Sequence, residues 1–137
     1  MENNKVLDPT QIPLVAMDAM NEVHREELEI VNHLSSAIAE NNTVNITELC
    51  TQWLAHTKAH FERENNLMET HSFPAFHCHH GEHVGALQGL EEVIAAWQAT
   101  AEIESLSHYV REVWPKWYVQ HIATMDTVTS AFIKSCL

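Results

Sequence analysis

Four stretches of this sequence repeat apolar residues with the period of an α-helix, and each stretch carries histidine or a carboxylate on its apolar side. The third stretch is the clearest, and its stripe reads His79, His83, Leu87, Leu90, Ile94, Trp97. No segment shows the strict alternation of a β-strand, and the 137 residues include only three glycines. We therefore predict an all-α fold, an up-down-up-down antiparallel four-helix bundle formed by one domain.

The predicted helices lie at about residues 14–40, 44–70, 76–100 and 106–135. The polar segment 1–13 contains two prolines and is expected to form an N-terminal arm. Thr43 or Asn45 can cap the second helix, because short polar side chains bond the free N–H groups of a first turn.

Pro115 lies inside the fourth apolar stripe, where proline removes one hydrogen bond and costs on the order of 3 kcal/mol. Either the helix bends just before it, or a straight helix begins at Pro115 as its first residue. The apolar period continues through Pro115, which favours the bend.

Seven polar residues lie on the four inward stripes: His24, His60, Glu64, His79, His83, His121 and Asp126. Two pairs in this set are four residues apart, so each pair lies on one helix face, one turn apart. Asp126 follows His121 by five residues and is expected to reach the others from the edge of its stripe. Five imidazoles and two carboxylates suit a pair of iron ions better than zinc or magnesium, with manganese possible in some preparations.

Burying these seven polar side chains without partners would cost a large part of the domain's net stability. A buried imidazole with no partner costs about 1–3 kcal/mol and a buried charge costs more, whereas a domain has only about 5–15 kcal/mol of net stability. A lone histidine on an apolar face is usually a hydrogen-bonded core residue. Five of them with two carboxylates favour metal ligation, which removes the cost.

Charge and cysteine content exclude several classes of protein. The formal charge is −12, and only seven residues are basic, so nucleic acid and anionic membranes are not expected partners. Three cysteines without C-x-x-C spacing give neither a disulfide framework nor a thiolate metal site. With no apolar signal core and no run near 18 apolar residues, we expect a cytoplasmic, monomeric protein.

Three segments of the sequence resemble the signature of a known protein family. HFERENNLM at 60–68, HHGEH at 79–83 and WYVQHIATMD at 117–126 look like the signature of hemerythrins, the non-haem di-iron oxygen-binding proteins. The resemblance extends from about residue 17 to 135. It departs from the family pattern at Asn65, at 21–23, at Pro115 and in the missing aromatic-rich N-terminal segment.

The resemblance implies two iron ions, Fe²⁺ or Fe³⁺, joined by an oxo or hydroxo bridge. One iron would be bound by His79, His83 and His121, the other by His24 and His60, and Glu64 and Asp126 would bridge them. With the bridge counted, the first iron has six donors and the second has five. The open position on the second iron would bind dioxygen, in a dry pocket whose walls we assign to Leu28, Phe61, Trp117 and Met125.

The implied function is reversible dioxygen binding for storage, delivery or sensing, without catalysis. The alternative is a di-iron enzyme acting on peroxide or nitric oxide, which would need a tyrosine or an acid beside the open position. Tyr109 and Tyr118 lie off the ligand stripe. A sensor would normally be fused to an output module, and the chain ends at Leu137 without one, which disfavours sensing.

The other six histidines are not predicted ligands. His56, one turn before His60, is the strongest rival and is assigned a supporting or core role. His77 would change the spacing to His83 from four residues to six, so it is rejected. The rest are expected to flank the third-helix pair or lie on the surface: His33, His71, His80 and His108.

Overall fold

A computed structural model describes residues 4–137 of the chain. It contains four long helices: α1 (Asp18–Ala39), α2 (Thr43–Thr70), α3 (Phe76–Thr100) and α4 (residues 103–135). No strand occurs in the part of the chain that the structure describes. Because the loops between the helices are two to five residues long, consecutive helices are antiparallel. The predicted all-α, up-down-up-down bundle is therefore confirmed.

Helix α1 begins at Asp18, later than the predicted residue 14. The cause is Asn21, whose side chain bonds the backbone of Val15 twice: its Oδ1 accepts from the Val15 N–H at 2.9 Å, and its Nδ2 donates to the Val15 carbonyl at 3.0 Å. These bonds hold the segment before α1 against the helix. The first three residues of the predicted arm, 1–3, lie outside the described residues. In its described part Asn32 binds the backbone of Val6 and Leu7.

The caps of two other helices also differ from expectation. Asn42, rather than Thr43 or Asn45, caps α2, and its side chain accepts from the Asn45 N–H at 3.2 Å. Helix α4 begins at Ile103, earlier than the predicted residue 106, because the Glu102 carboxylate caps it by accepting from the N–H groups of Glu104 and Ser105.

Helix α4 contains two π-helical turns, Tyr109–Val113 and Ile122–Asp126. In a π-helical turn the hydrogen bonds join residues five apart rather than four. The first turn ends two residues before Pro115, and there the Trp114 N–H donates to the Tyr109 carbonyl. This wider turn accommodates the proline, so the irregularity in α4 is a change of helix type that the sequence pattern did not predict.

The apolar core forms two clusters. The larger one includes Leu34, Trp53 and Trp97 near the α1–α2 and α3–α4 loops, and along α1 it extends to Met20. The smaller one, Met68, Phe73 and Ile133, lies towards the other end. The seven polar residues lie in the layer between the two clusters, so apolar packing closes the layer on both sides.

Candidate metal centre

All four helices contribute to one buried polar layer. α1 provides His24, α2 provides His60 and Glu64, α3 provides His79 and His83, and α4 provides His121 and Asp126. Each of these side chains is 3% exposed or less. Their donor atoms form two groups, and within each group the atoms lie within 4.8 Å of one another. The structure thus brings all seven predicted residues together.

The first group gathers three imidazoles around one oxygen from each carboxylate. Glu64 Oε1 lies 3.4 Å from His79 Nε2 and 3.2 Å from His83 Nε2. Asp126 Oδ1 lies 3.1 Å from His79 Nε2 and 3.3 Å from His121 Nε2. Every imidazole in this group therefore directs Nε2 towards the same small volume.

The second group uses the remaining oxygen of each carboxylate. Glu64 Oε2 lies 2.6 Å from His60 Nε2, and Asp126 Oδ2 lies 3.0 Å from His24 Nε2. Glu64 and Asp126 therefore divide their oxygens between the two groups. A carboxylate that bridges two metal ions needs this arrangement.

The second π-helical turn puts Asp126 in position. In an α-helix a residue five after His121 would be rotated away from it. Here the Thr127 N–H donates to the Ile122 carbonyl, and the wider turn places Asp126 on the same face as His121. We had expected Asp126 at the edge of the stripe, whereas the structure buries it completely and places it between three imidazoles.

Many inward atoms of this layer have no hydrogen-bond partner among the described residues. They are Nε2 of His24, His79, His83 and His121, Oε1 of Glu64 and both oxygens of Asp126. Nearly all buried polar groups in proteins are bonded, so a cluster of unpartnered donor atoms requires an explanation. Metal ions bound in both groups would use every one of these atoms, so the residues present fit a two-metal centre.

A second layer of side chains orients three of the imidazoles. Nδ1 of His83 lies 3.0 Å from Asn65 Oδ1, and Nδ1 of His121 lies 2.8 Å from Glu82 Oε1. Amide and carboxylate oxygens only accept, so these Nδ1 atoms carry the proton and leave the Nε2 lone pair facing inward. His79 Nδ1 has a similar partner in the Thr129 hydroxyl, at 2.7 Å. Asn65, a departure from the family pattern, therefore supports His83.

Sequence reasoning missed Glu27, a buried carboxylate on α1. Its Oε1 lies 3.4 Å from His60 Nδ1, and its Oε2 accepts hydrogen bonds from the indoles of Trp53 and Trp114 at 3.1 and 3.3 Å. Glu27 follows His24 by three residues, which places the two on neighbouring parts of the helix surface. That spacing was the only sign in the sequence that Glu27 lies near the centre. Surface glutamates can have the same spacing, so it did not distinguish Glu27 from them.

The buried histidines and carboxylates of this layer shift one another's pKa values. Burial acts to lower the pKa of His60 and His79, but the facing carboxylates outweigh it and raise these pKa values to about 10 and about 9. Burial lowers the pKa of His83, against the opposing effect of Glu64. Burial acts to raise the pKa of Glu64 and of Asp126, yet the imidazoles beside them hold both pKa values well below their usual range. In the metal-free chain the facing carboxylates therefore favour the protonated forms of His60 and His79.

The four predicted pocket residues lie in different places. Phe61 stacks on His83 with 4.0 Å between ring centroids and also lies 5.3 Å from the ring of His60, so it contacts both groups. Trp117 stacks on His121 at 4.6 Å and covers the three-histidine group. Leu28 is buried in the larger core cluster, one turn after His24. Met125 is half-buried.

Tyr118 is closer to the centre than the sequence suggested. Its ring lies 6.0 Å from the ring of His24, and the side chain is 1% exposed. Its hydroxyl donates to the His24 carbonyl at 2.9 Å and is therefore directed at the backbone of α1. The expectation that Tyr118 lies off the ligand face was wrong. Because the hydroxyl already donates to the backbone, it does not act as a free acid beside the centre.

The remaining histidines belong to neither group of donor atoms. His56, the strongest rival ligand, is half-buried and lies 3.2 Å from Glu26 Oε1. His80 stacks on Phe76, and His33, His77 and His108 are exposed.

The bundle and its buried layer define a class of protein: helical-bundle metal-binding proteins whose ligands project inward from all four helices. The family model described as "Hemerythrin HHE cation binding domain" matches residues 13–132, so the chain belongs to the hemerythrin family.

Three relatives carry the same name. A bacteriohemerythrin of Aquifex aeolicus is 25% identical over 91% of this chain and 95% of its own length. One of Ralstonia nicotianae is 31% identical over 73% and 72%. One of Stenotrophomonas maltophilia is 25% identical over 90% and 78%. No solved structure matches the chain significantly. No helix within residues 4–137 is both long enough and apolar enough to cross a membrane.

Proposed function

We propose that the chain binds dioxygen reversibly at a non-haem di-iron centre, for oxygen storage, delivery or sensing. One observation carries the proposal: Glu64 and Asp126 each direct one oxygen at the group of three imidazoles, where it lies near two of them, and the other oxygen at one of the two remaining imidazoles. The division gives five protein donors on one side and four on the other. The names of the bacteriohemerythrin relatives support the same function.

We assign His79, His83 and His121 to one iron, His24 and His60 to the other, and Glu64 and Asp126 to both. The His24–His60 side offers one imidazole fewer, so an iron held there would have room for dioxygen as a further ligand. Imidazole and carboxylate donors suit iron, whereas magnesium prefers oxygen donors alone. A bound ferrous pair would supply the electrons that reversible dioxygen binding requires.

The protein's own groups favour release of unchanged dioxygen. Cleavage of its O–O bond would require a preorganised proton donor beside it. The nearest phenol, Tyr118, already donates to the backbone. Glu27 accepts from two indoles and lies on the far side of His60, next to Nδ1 rather than Nε2. The surrounding groups therefore hold and shield the centre without offering a free acid to it.

Stopped-flow absorbance tests the proposal. The anaerobic, reduced protein loaded with two irons per chain should gain a visible absorption band on mixing with oxygen. Removal of oxygen with argon should abolish the band, and the cycle should repeat. A single irreversible oxidation, or peroxide turnover at about 1–10³ per second, would contradict reversible oxygen binding and favour the enzymatic alternative.

Iron analysis of two variants tests the ligand assignment separately. His121→Ala removes a ligand and should lower the iron content below two per chain. His56→Ala, which lies in neither donor group, should retain both irons and serves as the matched control. Equal iron content in the two variants would contradict the assignment.

A further inference from the structure

A small cavity lies beside Glu27, on the Nδ1 side of His60. Its volume is about 10 Å³, and α1 and α2 contribute Glu27 and Thr57 to its lining. Both side chains are almost fully buried, at 2% and 3% exposure. The mixed polar and apolar lining distinguishes this cavity from the hydrophobic core around it.

Two polar atoms in this lining have no hydrogen-bond partner among the described residues, Glu27 Oε1 and the Thr57 hydroxyl. The other Glu27 oxygen is fully engaged with the indoles of Trp53 and Trp114. The nearest donor to Oε1 is His60 Nδ1 at 3.4 Å, in ion-pair range but without hydrogen-bond geometry. A buried carboxylate oxygen and a buried hydroxyl at one cavity are both costly without a partner.

We propose that this cavity binds one water molecule, which donates to Glu27 Oε1 and shares a hydrogen bond with the Thr57 hydroxyl. A water molecule needs a volume of about 10–15 Å³ and two to four polar partners, and the cavity meets both requirements at their lower limit. An apolar diatomic molecule such as dioxygen is larger than water and would leave both polar atoms unpartnered. The chemistry of the lining therefore selects water.

The same cavity lies next to the protein surface between α3 and α4. A surface groove of about 390 Å³ lies there, and four residues line both the groove and the cavity: Ala86, Tyr109, Trp114 and Trp117. Gly85 and Gly89 also line the groove and add no side chain to it. The bound water exchanges with solvent through the wall formed by the four shared residues. This inference does not require iron, because neither polar partner is one of the seven proposed ligands.

The test uses the full chain without metal. A high-resolution crystal structure should show density for one water in contact with Glu27 and Thr57. Nuclear Overhauser transfer from water to the side chains around the cavity should detect the same molecule in solution. An empty cavity in the crystal together with no transfer in solution would overturn the proposal.

Two variants sharpen this test. Thr57→Val keeps the shape of the side chain and removes the hydroxyl, so the water should be lost and the thermal midpoint should fall, because Glu27 then loses its bound water. If no water were present, removal of an unpartnered hydroxyl would raise the midpoint, and the proposal would be wrong. Thr70→Val, at an exposed position at the end of α2, is the matched control and should leave the midpoint unchanged.

Should Thr57→Val fail to fold, Ala86→Val tests the site without removing any polar group. The added methyl groups narrow the cavity, and the water density and the Overhauser transfer should both disappear. Persistence of the transfer in a folded Ala86→Val protein would place the water elsewhere.

Discussion

The two halves of the metal centre differ in how their imidazoles are held. On the three-histidine side every Nδ1 has a hydrogen-bond partner, at 2.7 Å for His79, 3.0 Å for His83 and 2.8 Å for His121. On the other side Nδ1 of His24 has no partner among the described residues, and Nδ1 of His60 has only the ion-pair contact with Glu27.

Aromatic packing follows the same division. Phe61 stacks on His83 and Trp117 stacks on His121, whereas the rings nearest to His24 lie edge-on, at 5.5 and 6.0 Å. Hydrogen bonds and stacking fix the orientation of a ligand ring, so the three-histidine side is the more rigid one. We infer that the fixed half anchors the metals and that the looser half adapts when a small molecule binds.

The largest expected effect is the loss of an anchor. His79→Ala should reduce iron from two per chain to one or fewer and lower the free energy of unfolding of the loaded protein by about 4 kcal/mol or more, the contribution of a ligand present at 1,000 times its Kd. Elemental analysis and denaturant titration measure both quantities. His24→Ala, on the looser side, should cost less. An equal or larger loss in His24→Ala would remove the proposed distinction between the halves.

The variant Leu28→Ala tests the looser half of the centre, which contains His24 and His60. Leu28→Ala should destabilise the fold by about 2–5 kcal/mol, as large-to-small core changes do. It should also speed autoxidation by admitting water near His24, while iron content is retained. Leu106→Ala is the matched control, because Leu106 is also 1% exposed and belongs to the same core cluster but lies at the start of α4. Similar autoxidation rates in the two variants would place the oxygen pocket elsewhere.

Thr129 tests the orientation of an anchor ring without removing a ligand. Thr129→Val deletes the hydroxyl that lies 2.7 Å from His79 Nδ1, and metal affinity should fall by roughly 10–100-fold, the usual effect of losing such a partner. Competition with a chelator measures the affinity, and Thr70→Val, at an exposed position at the end of α2, is the control. Unchanged affinity in Thr129→Val would show that packing alone orients His79.

Metal uptake should also depend on pH, without any change of residue. The metal-free chain holds His60 and His79 protonated at neutral pH, since their pKa values are raised to about 10 and about 9. Each must release a proton to bind metal, so affinity should rise with pH by up to about tenfold per unit and per proton released, up to about pH 9. Proton release on metal addition, followed with an indicator dye, measures it. Uptake without proton release would contradict the ion-paired state.

The same pKa shifts give the metal-free fold a pH window. The raised pKa values of His60 and His79 stabilise the fold fully below their ordinary value of 6.5, and that stability is lost as the pH rises through about 9 to 10. The lowered pKa of Glu64 stabilises the fold above its ordinary value of 4.5, and this is lost at lower pH. These groups should therefore make their largest contribution between about pH 4.5 and 6.5, as thermal melts across the range would show.

Much of the architecture could be predicted because its signals are local. The apolar period predicted four helices and their order. The four-residue spacings put His60 with Glu64, and His79 with His83, on common faces. The helix ends were less predictable, since α1 begins where the Asn21 side chain captures the backbone of Val15, a contact that no propensity encodes.

Composition and spacing by themselves determined the helical class, the family resemblance and the seven inward polar residues, because a helix places residues on its faces by a fixed local rule. Only the tertiary structure decided that Asp126 lies on the face of His121, since a π-helical turn has no comparable sequence signal. Only the tertiary structure also paired His60 with Glu27 and His79 with Thr129, partners from different helices. Their contact depends on how far one helix is shifted and rotated against another, and packing of the whole core sets that relation.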